Sequence, residues 1–312
     1  MTARYARDML GPYHRGCAFG QQKNAGRRTL ATTIVQRSSL PAASTPHTTA
    51  PRMIDLVLLS DLNYAEAFRE LTRRARGVVH DEDGLFLYAG PHELPVLQNG
   101  VMRTDARLAA GAVVERARDF FRPRGRGFSV ICRAHADADL AAAAADAGLP
   151  RFGQSPGMVL ERRLPDVAPP PSVTLHRVET PDEAAAFADV QGRAYATYGM
   201  PLDVTPLALG HLDVLRAPHI VTWLARLDGV PVAGAMMILT HVVAGIYWVG
   251  TVPEARGRGL AELVTRVAGN SGFDLGARVA ALQASEMGEP VYRRMGYVEV
   301  TRYPTFVQFA PP

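Results

Sequence analysis

One stretch of the sequence decides the fold that we expect: Gly250-Thr251-Val252-Pro253-Glu254-Ala255-Arg256-Gly257-Arg258-Gly259-Leu260-Ala261. It joins an apolar segment with strand character, residues 243–251, to a segment whose apolar residues recur with helical spacing. We predict that a helix starts at Arg256 and that Glu262 and Arg266 form an ion pair on one of its faces. The stretch is therefore a junction between a strand and a helix, with glycines at the start of the helix.

Glycines at a helix N-terminus make a site for an anion. Without side chains, the backbone amides can approach a ligand closely, and the helix dipole adds about half a positive charge. Arg256 and Arg258 can add further positive charge, so the pattern is typical of a loop that holds a diphosphate. The alternative is a surface turn in which Gly257 and Gly259 serve backbone geometry alone.

A second segment supports the ligand-binding interpretation. Residues 279–285 have the pattern of a buried strand, and a short helix at 290–295 follows and ends at Gly296. Together the two segments resemble the GNAT superfamily of N-acetyltransferases. Residues 256–261 are similar to its pyrophosphate loop, and its Leu-Tyr-x-x-x-Gly-Phe segment is matched by Val291-Tyr292-Arg293-Arg294-Met295-Gly296-Tyr297.

The resemblance covers about residues 172–310 and implies a fold, a co-substrate and a reaction. The implied fold is α/β, with a mixed, mostly antiparallel sheet flanked by helices. The implied reaction is acetyl-CoA-dependent N-acetylation, in which an amine of a small molecule or of a peptide N-terminus attacks the thioester directly. The implied acetyl-CoA contacts are Gly250, Thr251, Val252, Arg256, Gly257, Arg258, Gly259, Leu260, Ala261 and Ser285.

Tyr292 is the catalytic residue that the resemblance implies. Attack on a thioester expels a thiolate, which a tyrosine hydroxyl can protonate, and a backbone amide near the end of the 243–251 strand can stabilise the oxyanion. The alternative is that Tyr292 is a half-buried aromatic residue of the core.

The sequence departs from the superfamily's pattern in two places. Ser285 stands where many members have asparagine, and the 243–251 strand contains no acidic residue to act as a general base. Glu254 and Glu286 lie nearby in the sequence, and we predict that both are solvated charges. A chain of water molecules then takes the role of the base.

The first part of the chain resembles a degenerate copy of the second. Residues 54–163 show the order helix, strand, strand, helix, strand, helix, strand, and Ala144 aligns with Tyr292. The loop at 102–104 contains no glycine, and 124–127, although it reads Arg-Gly-Arg-Gly, follows a helix and is predicted to be a turn. With the proline-rich stretch 164–171 as the linker, we predict two tandem lobes, a degenerate GNAT-like lobe at 53–165 and an acetyltransferase domain at 166–312.

The remaining elements follow from similar patterns. We predict helices at 61–75, capped by Ser60 or Asp61, at 105–121, at 137–147 and at 181–195, capped by Thr180. We predict strands at 85–89, 94–101, 128–133, 158–162, 173–178, 219–226, 232–239, 298–303 and 305–309.

The composition is that of a globular protein and excludes several classes of function. Of the 312 residues, 47% are hydrophobic, and no apolar run reaches the roughly 18 residues that span a bilayer, so we expect no membrane partner. Cys17 and Cys132 give neither a disulfide framework nor a zinc-ligand spacing, which indicates a reducing, cytoplasmic location and no metal. Lys23 is the only lysine, so the rest of the chain has no Walker-A loop and no Schiff-base lysine.

The positive charge is concentrated at the start of the chain. Residues 1–52 carry eight Arg or Lys side chains and one Asp, a charge of +7, so the other residues carry −3 of the total of +4. A mildly acidic body does not fit broad binding to a nucleic-acid backbone, so we expect no nucleic-acid partner. We predict that 1–52 is a disordered basic leader. Both a transit peptide and an extension upstream of Met53 have this composition.

A second hypothesis comes from a different class of protein. A non-catalytic regulatory module that binds acyl-CoA needs the 256–261 loop but has no need of Tyr292. The sequence gives no signal for the identity of the acceptor amine or for the oligomeric state.

Overall fold

The computed structural model describes residues 53–310. The disordered leader predicted at 1–52 lies outside this range. Within it, the helices are α1 (Met53–Arg74), α2 (Ala110–Phe121), α3 (Ala138–Asp146), α4 (Pro181–Tyr195), α5 (Val204–Leu209), α6 (Leu212–Leu215), α7 (Leu260–Asp274) and α8 (Glu289–Met295). The strands are β1 (Val78–Glu82), β2 (Leu85–Ala89), β3 (Asn99–Arg103), β4 (Phe128–Ile131), β5 (Arg151–Leu160), β6 (Val173–Arg177), β7 (Ile220–Leu227), β8 (Val230–Thr240), β9 (Val243–Thr251), β10 (Val279–Gln283) and β11 (Val298–Gln308).

In the described part of the chain these strands form one sheet. Their order is β1-β2-β3-β4-β11-β5-β10-β9-β8-β7-β6. Strand β3 runs parallel to β4 and β9 runs parallel to β10, whereas the other neighbours are antiparallel. The predicted fold class, a mixed and mostly antiparallel sheet flanked by helices, is confirmed.

The sheet has two halves with the same plan, which we call the first half (residues 53–165) and the second half (residues 166–310). In the first half, β1, β2 and β3 form an antiparallel meander, and α2 connects β3 to the parallel strand β4. In the second half, β7, β8 and β9 form the meander, and α7 connects β9 to the parallel strand β10. A short helix then leads to the last strand of each half.

The two halves exchange these last strands. Strand β5 of the first half pairs with β10, strand β11 of the second half pairs with β4, and the two pair with each other in the middle of the sheet. Neither half therefore completes a sheet on its own. The division of the chain into two domains between residues 165 and 166 stays a prediction.

Helix α1 belongs to the first half but is anchored on strands of the second. The buried Asn63 donates from Nδ2 to the backbone oxygens of Ile238 (3.1 Å) and Val243 (3.2 Å), and its Oδ1 accepts from the Tyr247 hydroxyl (2.6 Å). A Cβ at Gly245 would collide with this Oδ1, so the close approach of the helix requires glycine there. A buried amide without partners costs about 1–3 kcal/mol. Moving α1 away from β8 and β9 would leave the Asn63 side chain in that state, so these bonds hold α1 against the second half.

Several predicted elements coincide with the structure. Helix α4 spans Pro181–Tyr195, as predicted, and Thr180 caps it. Strand β9 spans Val243–Thr251, as predicted. The ion pair between Glu262 and Arg266 is present, at 2.8 Å.

The predicted start of the first helix is wrong. Helix α1 begins at Met53, and Ser60 and Asp61 lie inside it. Their side chains do not cap the helix. The Ser60 hydroxyl lies 3.1 Å from the Tyr303 hydroxyl, and the Tyr303 hydroxyl donates to Asp61 at 2.8 Å. Polar residues that indicate a cap in the sequence here form a buried contact with β11.

Several strand predictions are also wrong in their bounds. The strand predicted at 94–101 begins only at Asn99, because Pro95 starts a turn in which Val96 and Leu97 leave helical geometry. The strands predicted at 298–303 and 305–309 are the single strand β11. Pro304 continues it because its oxygen still accepts from the Cys132 amide, at 2.8 Å.

No helix in the described part of the chain is long and apolar enough to cross a membrane.

Candidate active site

The glycine loop connects β9 to α7. A short 3₁₀ turn at Pro253–Ala255 follows the strand, and the helix begins at Leu260 rather than at Arg256. Gly257 and Gly259 have φ values of 75° and 74°, in the left-handed region that favours glycine. A Cβ at either position would meet no atom within 4 Å. Backbone conformation, not lack of space, therefore requires these glycines.

The loop leaves a group of backbone amides without acceptors. Gly259 is the N-cap residue of α7 and offers no side-chain cap, and the first amides of any helix lack partners within it. Among the described residues, no acceptor receives a hydrogen bond from the amides of 257–259 either. Unpaired amides at the start of this 15-residue helix favour an anion.

The two arginines of the loop have different surroundings. The Arg256 guanidinium donates to the backbone oxygens of Thr251 (3.3 Å) and Ala194 (3.2 Å) and to the Thr197 hydroxyl (3.1 Å). Its side chain thus ties the loop to the C-terminal end of α4. Arg258 is exposed and has no ion pair within residues 53–310. In this conformation the Arg256 guanidinium is partly engaged by protein acceptors, whereas that of Arg258 has no such contact among the described residues.

The other predicted contacts at the end of β9 are closely packed. A Cβ at Gly250 would collide with the Gln191 side chain of α4. The Val252 amide donates to the Val232 oxygen at 2.9 Å, so it belongs to the sheet. The Thr251 hydroxyl and Gln191 Oε1 are buried and have no hydrogen-bond partner among the described residues. Two buried polar atoms beside the loop thus have unused hydrogen-bonding capacity.

Strands β9 and β10 separate as they approach the loop. They pair only over residues 243–245 and 279–281. Farther along, β9 contains a bulge in which Trp248 and Val249 together face the single residue Ala235 of β8. Trp248 has a φ of 51°, which is rare for a bulky side chain. The result is a gap between the two strands, bordered on one side by irregular backbone.

Tyr292 lies on α8, beside this gap. Its side chain is buried, and its ring packs edge-on against Tyr297 with 6.0 Å between the centroids. Burial raises the pKa of Tyr292 above its ordinary value. The phenol therefore keeps its proton at neutral pH and can donate it.

Ser285 positions the helix that carries Tyr292. Its Oγ accepts from the Gly288 amide at 3.1 Å and lies 3.2 Å from the hydroxyl of Tyr198. Burial raises the pKa of the neighbouring Tyr195 as well. The gap is thus bordered by the Ser285 hydroxyl and by the phenols of Tyr292 and Tyr195, whose burial favours the protonated form.

A cavity of about 260 Å³ opens at the gap. Tyr292, Ser285 and Trp248 line it at the gap. Much of the rest of its wall comes from helix α1 and residues 90–98 of the first half and from residues 195–209 of the second, and residues of β5, β9 and β10 complete it. Tyr195, Tyr198 and Trp248 carry no motif, so sequence analysis did not single them out.

The first half has the same helix end but not the tyrosine. At the end of α3, the amide of Leu149 donates to the backbone oxygen of Ala144. At the end of α8, the amide of Tyr297 donates to the backbone oxygen of Tyr292, and the distance is 3.0 Å in both cases. Gly148 (φ 81°) ends the first of these helices and Gly296 (φ 96°) the second. Alanine thus stands where the second half has its buried phenol. The turn predicted at 124–127 is confirmed.

Where the second half has its glycine loop, the first half has an ion-pair cluster. Arg103, the last residue of β3, contacts Asp137 at 2.9 Å and Asp139 at 2.6 Å. The side chains of Arg103 and Asp137 are only 2% and 1% exposed. Positive charge at this end of the first half is therefore neutralised within the protein.

The comparisons with known proteins agree with this geometry. No family model matches the chain. A curated relative, the mycothiol acetyltransferase of Thermomonospora curvata, is 28% identical over 264 residues, which cover 77% of this chain and 83% of the relative. A solved GCN5-related N-acetyltransferase from Kribbella flavida has a TM-score of 0.62 at 22% identity, covering 80% of this chain and 95% of that one. The chain has the GNAT fold.

A tandem GNAT protein from the clavulanic acid biosynthesis pathway has the same fold, with a TM-score of 0.51 at 19% identity over 73% of this chain and 79% of that one. The curated relative and the GNAT structures confirm the prediction of a GNAT-type N-acetyltransferase. The roles of individual residues in the GNAT fold of this chain stay predictions.

Proposed function

We propose that the second half binds acetyl-CoA and transfers its acetyl group to an amine of a small molecule or of a peptide N-terminus. One observation carries the proposal. In the second half, unpaired amides at a helix N-terminus and a buried tyrosine lie at the two sides of a gap in the sheet. We also propose a cytoplasmic location and no nucleic-acid partner, on the composition of the chain.

The residues present suit the parts of acetyl-CoA. The amides of the 257–261 segment and the guanidinium of Arg258 suit its pyrophosphate, while the Arg256 side chain holds the loop in place. The gap between β9 and β10 suits the pantetheine arm, which would pass Gly250, Thr251 and Val252. Ser285 lies at the end of that path.

The transfer needs three events at the gap. The amine lone pair attacks the thioester carbon, and the carbonyl oxygen becomes an oxyanion, for which an amide in the bulge at Trp248 is the proposed donor. The C–S bond then breaks, and the thiolate takes the proton of the Tyr292 hydroxyl. The nitrogen loses one proton, which returns through water to Tyr292. The products are an acetylated amine and CoA with a free thiol.

No carboxylate in the described structure is placed to act as the base. Glu254 is exposed and paired with Arg193, and Glu286 is exposed, as predicted for both. No Asp, Glu or His among residues 53–310 lines the cavity. Water is therefore the proposed proton acceptor.

The test measures release of the CoA thiol from acetyl-CoA in the presence of a panel of small amines and peptides. We expect amine-dependent release by the wild type. We expect Tyr292→Phe to lower turnover by roughly 10² to 10⁴, the range for loss of a positioned general acid, with acetyl-CoA affinity almost unchanged. Calorimetric titration with acetyl-CoA provides that second measurement.

The outcomes discriminate between the two hypotheses that the sequence analysis left open, the acetyltransferase and the non-catalytic regulatory module. Tight acetyl-CoA binding without turnover on any amine would favour the non-catalytic regulatory module. Wild-type turnover by Tyr292→Phe would remove this residue from the mechanism. A loss of stability of about 1 kcal/mol without a change in turnover would assign the hydroxyl to the core instead.

A further inference from the structure

We infer that the acceptor is an amine on an apolar, aromatic-sized body, which enters the cavity between the two halves in its uncharged form. The inference rests on the proposed function, which puts the thioester at the Tyr292 end of this cavity. It adds the chemical class of the acceptor, which no motif in the sequence indicates.

The wall of the cavity consists mainly of carbon. Most of its side chains are aromatic or aliphatic, among them Tyr64, Phe68, Leu71, Leu97, Phe152 and Met200. Within the described residues, no Asp, Glu, Lys, Arg or His lines it. An acceptor with a carboxylate or a second ammonium group would lose its water without gaining an opposite charge, and a polyol would lose more hydrogen bonds to water than the wall replaces.

A few neutral polar groups in the wall can orient a ligand. Thr72, Gln98, Ser155 and Gln283 line the cavity, and none of their side chains has a hydrogen bond to another described residue. An apolar pocket with a small number of polar groups is the usual form of a site for a small organic molecule. These groups suit the single amine of such a ligand or one neutral polar substituent.

The first half, which lacks its own cofactor loop, provides much of this wall. Its segment 90–98 contacts the second half, where Nε2 of His92 lies 3.5 Å from Oδ1 of Asp203. Leu94 of the same segment is buried against Met200. The half without an acetyl-CoA site thus shapes the cavity that faces the acetyl-CoA site of the other half.

Backbone strain also converges on the cavity. Non-glycine residues with positive φ occur elsewhere in turns between strands, after a helix or before a strand, as at Asp228 and Val242. The other two, Leu97 (φ 68°) and Trp248 (φ 51°), line the cavity from opposite halves. Strained conformations of bulky residues persist where the surrounding structure imposes them, and they cluster at ligand sites.

An apolar cavity also explains how the reaction proceeds without a carboxylate base. Desolvation disfavours the ammonium form, so it lowers the pKa of a bound amine. The amine leaves its proton in bulk water on entry and attacks as the free base. The rate on an alkylamine should therefore rise with pH, whereas the rate on an aniline, which is neutral at pH 7, should be flat between pH 6 and about pH 8.

The first experiment compares acceptors at saturating acetyl-CoA, with phenethylamine, phenylalanine, glucosamine and spermidine as probes. We expect kcat/KM for phenethylamine to exceed the others by roughly 100-fold, because only this probe enters without an additional charge or a polyol. Preference for glucosamine, phenylalanine or spermidine would overturn the inference while leaving acetyl transfer intact. Absence of acetyl-CoA binding in calorimetry would overturn the proposed function, and the inference with it.

The second experiment uses two matched variants. Leu97→Gly removes one side chain from the wall and relieves the strain, because glycine accepts a positive φ. Val242→Gly relieves the same kind of strain (φ 59°) in a hairpin outside the cavity. We expect Leu97→Gly to lower kcat/KM for phenethylamine roughly tenfold. The kcat/KM for methylamine and the affinity for acetyl-CoA should stay unchanged. Val242→Gly should match the wild type on every probe.

Two results of this comparison would overturn the inference. One is an equal loss on phenethylamine and methylamine in Leu97→Gly, which would mean that the wall does not contact the acceptor body. The other is faster turnover of a long-chain acyl-CoA than of acetyl-CoA, with inhibition by phenethylamine, which would assign the cavity to the acyl chain of the donor.

Discussion

The two halves of the sheet use the same sequence of elements and differ at the two places where acetyl transfer needs particular groups. Both have a meander, a crossover helix, a parallel strand and a short helix closed by a left-handed glycine, Gly148 in one and Gly296 in the other. Before the crossover helix, however, the second half has a glycine loop with unpaired amides, whereas β3 of the first half ends at the buried Arg103, which pairs with Asp137 and Asp139. At the short helix, Ala144 replaces Tyr292.

The difference shows which parts of the architecture depend on packing and which depend on function. A glycine cap and an apolar helix face satisfy backbone groups and bury surface, so both halves need them. The glycine loop with its unpaired amides and the buried hydroxyl of Tyr292 serve no such packing need, and the proposed function assigns them to a ligand. At the same end of the sheet in the first half, the guanidinium of Arg103 is neutralised within the protein by Asp137 and Asp139.

The largest expected change in stability comes from breaking the ion-pair cluster of the first half. Arg103→Met leaves Asp137 buried with fewer partners, which should lower the free energy of unfolding by about 3 kcal/mol. Arg258→Met, at an exposed arginine of the second half, should change it by less than about 0.5 kcal/mol. Urea denaturation of both variants measures the difference. Similar values would mean that Arg103 does not serve the structural role assigned to it.

A smaller effect depends on pH. Burial opposes ionisation of Asp137, but hydrogen bonds from Arg133 and Arg103 outweigh it, and the pKa of Asp137 is lowered. A carboxyl group with a lowered pKa adds stability above its unfolded pKa of about 4, and this contribution disappears as the pH falls through the folded value. The stability of Asp137→Asn should therefore fall less steeply below about pH 4 than that of the wild type. Parallel curves in acid titrations followed by urea denaturation would contradict this.

The smallest expected effect tests the feature that the halves share. Gly148→Ala and Gly296→Ala each put a side chain at a positive φ, at a cost of about 1 kcal/mol. The cost should be the same in both halves within error, because the cap geometry is the same. Thermal unfolding checks this, and a much larger loss in one half would show that its cap also carries tertiary contacts.

Motifs with fixed spacing allowed sequence analysis to predict part of this molecule. The glycines at 257 and 259, the helix after them and the segment around Tyr292 encode local backbone geometry, which periodicity and turn residues reveal. Strand β9 and the cap at Thr180 are local in the same sense.

What sequence analysis missed depends on contacts between distant segments. The exchange of β5 and β11 is set by pairing partners, which alternation of apolar residues does not specify. Asn63 looks like an ordinary helix residue until its bonds to β8 and β9 are seen. The sequence also contains no signal that the Arg256 guanidinium donates to the carbonyl of Ala194 at the end of α4.

The central claim is that only the second half binds acetyl-CoA, and one calorimetric titration with matched glycine variants tests it. Gly257, Gly259, Gly125 and Gly148 all have positive φ and open space around a Cβ, so leucine imposes similar local strain at each. Gly127 is unsuitable as a control, because a side chain there would collide with the backbone of β11 and the residues after it.

We expect the double substitution of Gly257 and Gly259 by leucine to weaken acetyl-CoA binding by at least roughly 100-fold, since it displaces amide donors to a charged group. The same substitution of Gly125 and Gly148 should leave affinity within about twofold of the wild type, because their amides meet no phosphate. Equal losses in the two variants would contradict the assignment of the acetyl-CoA site to the second half.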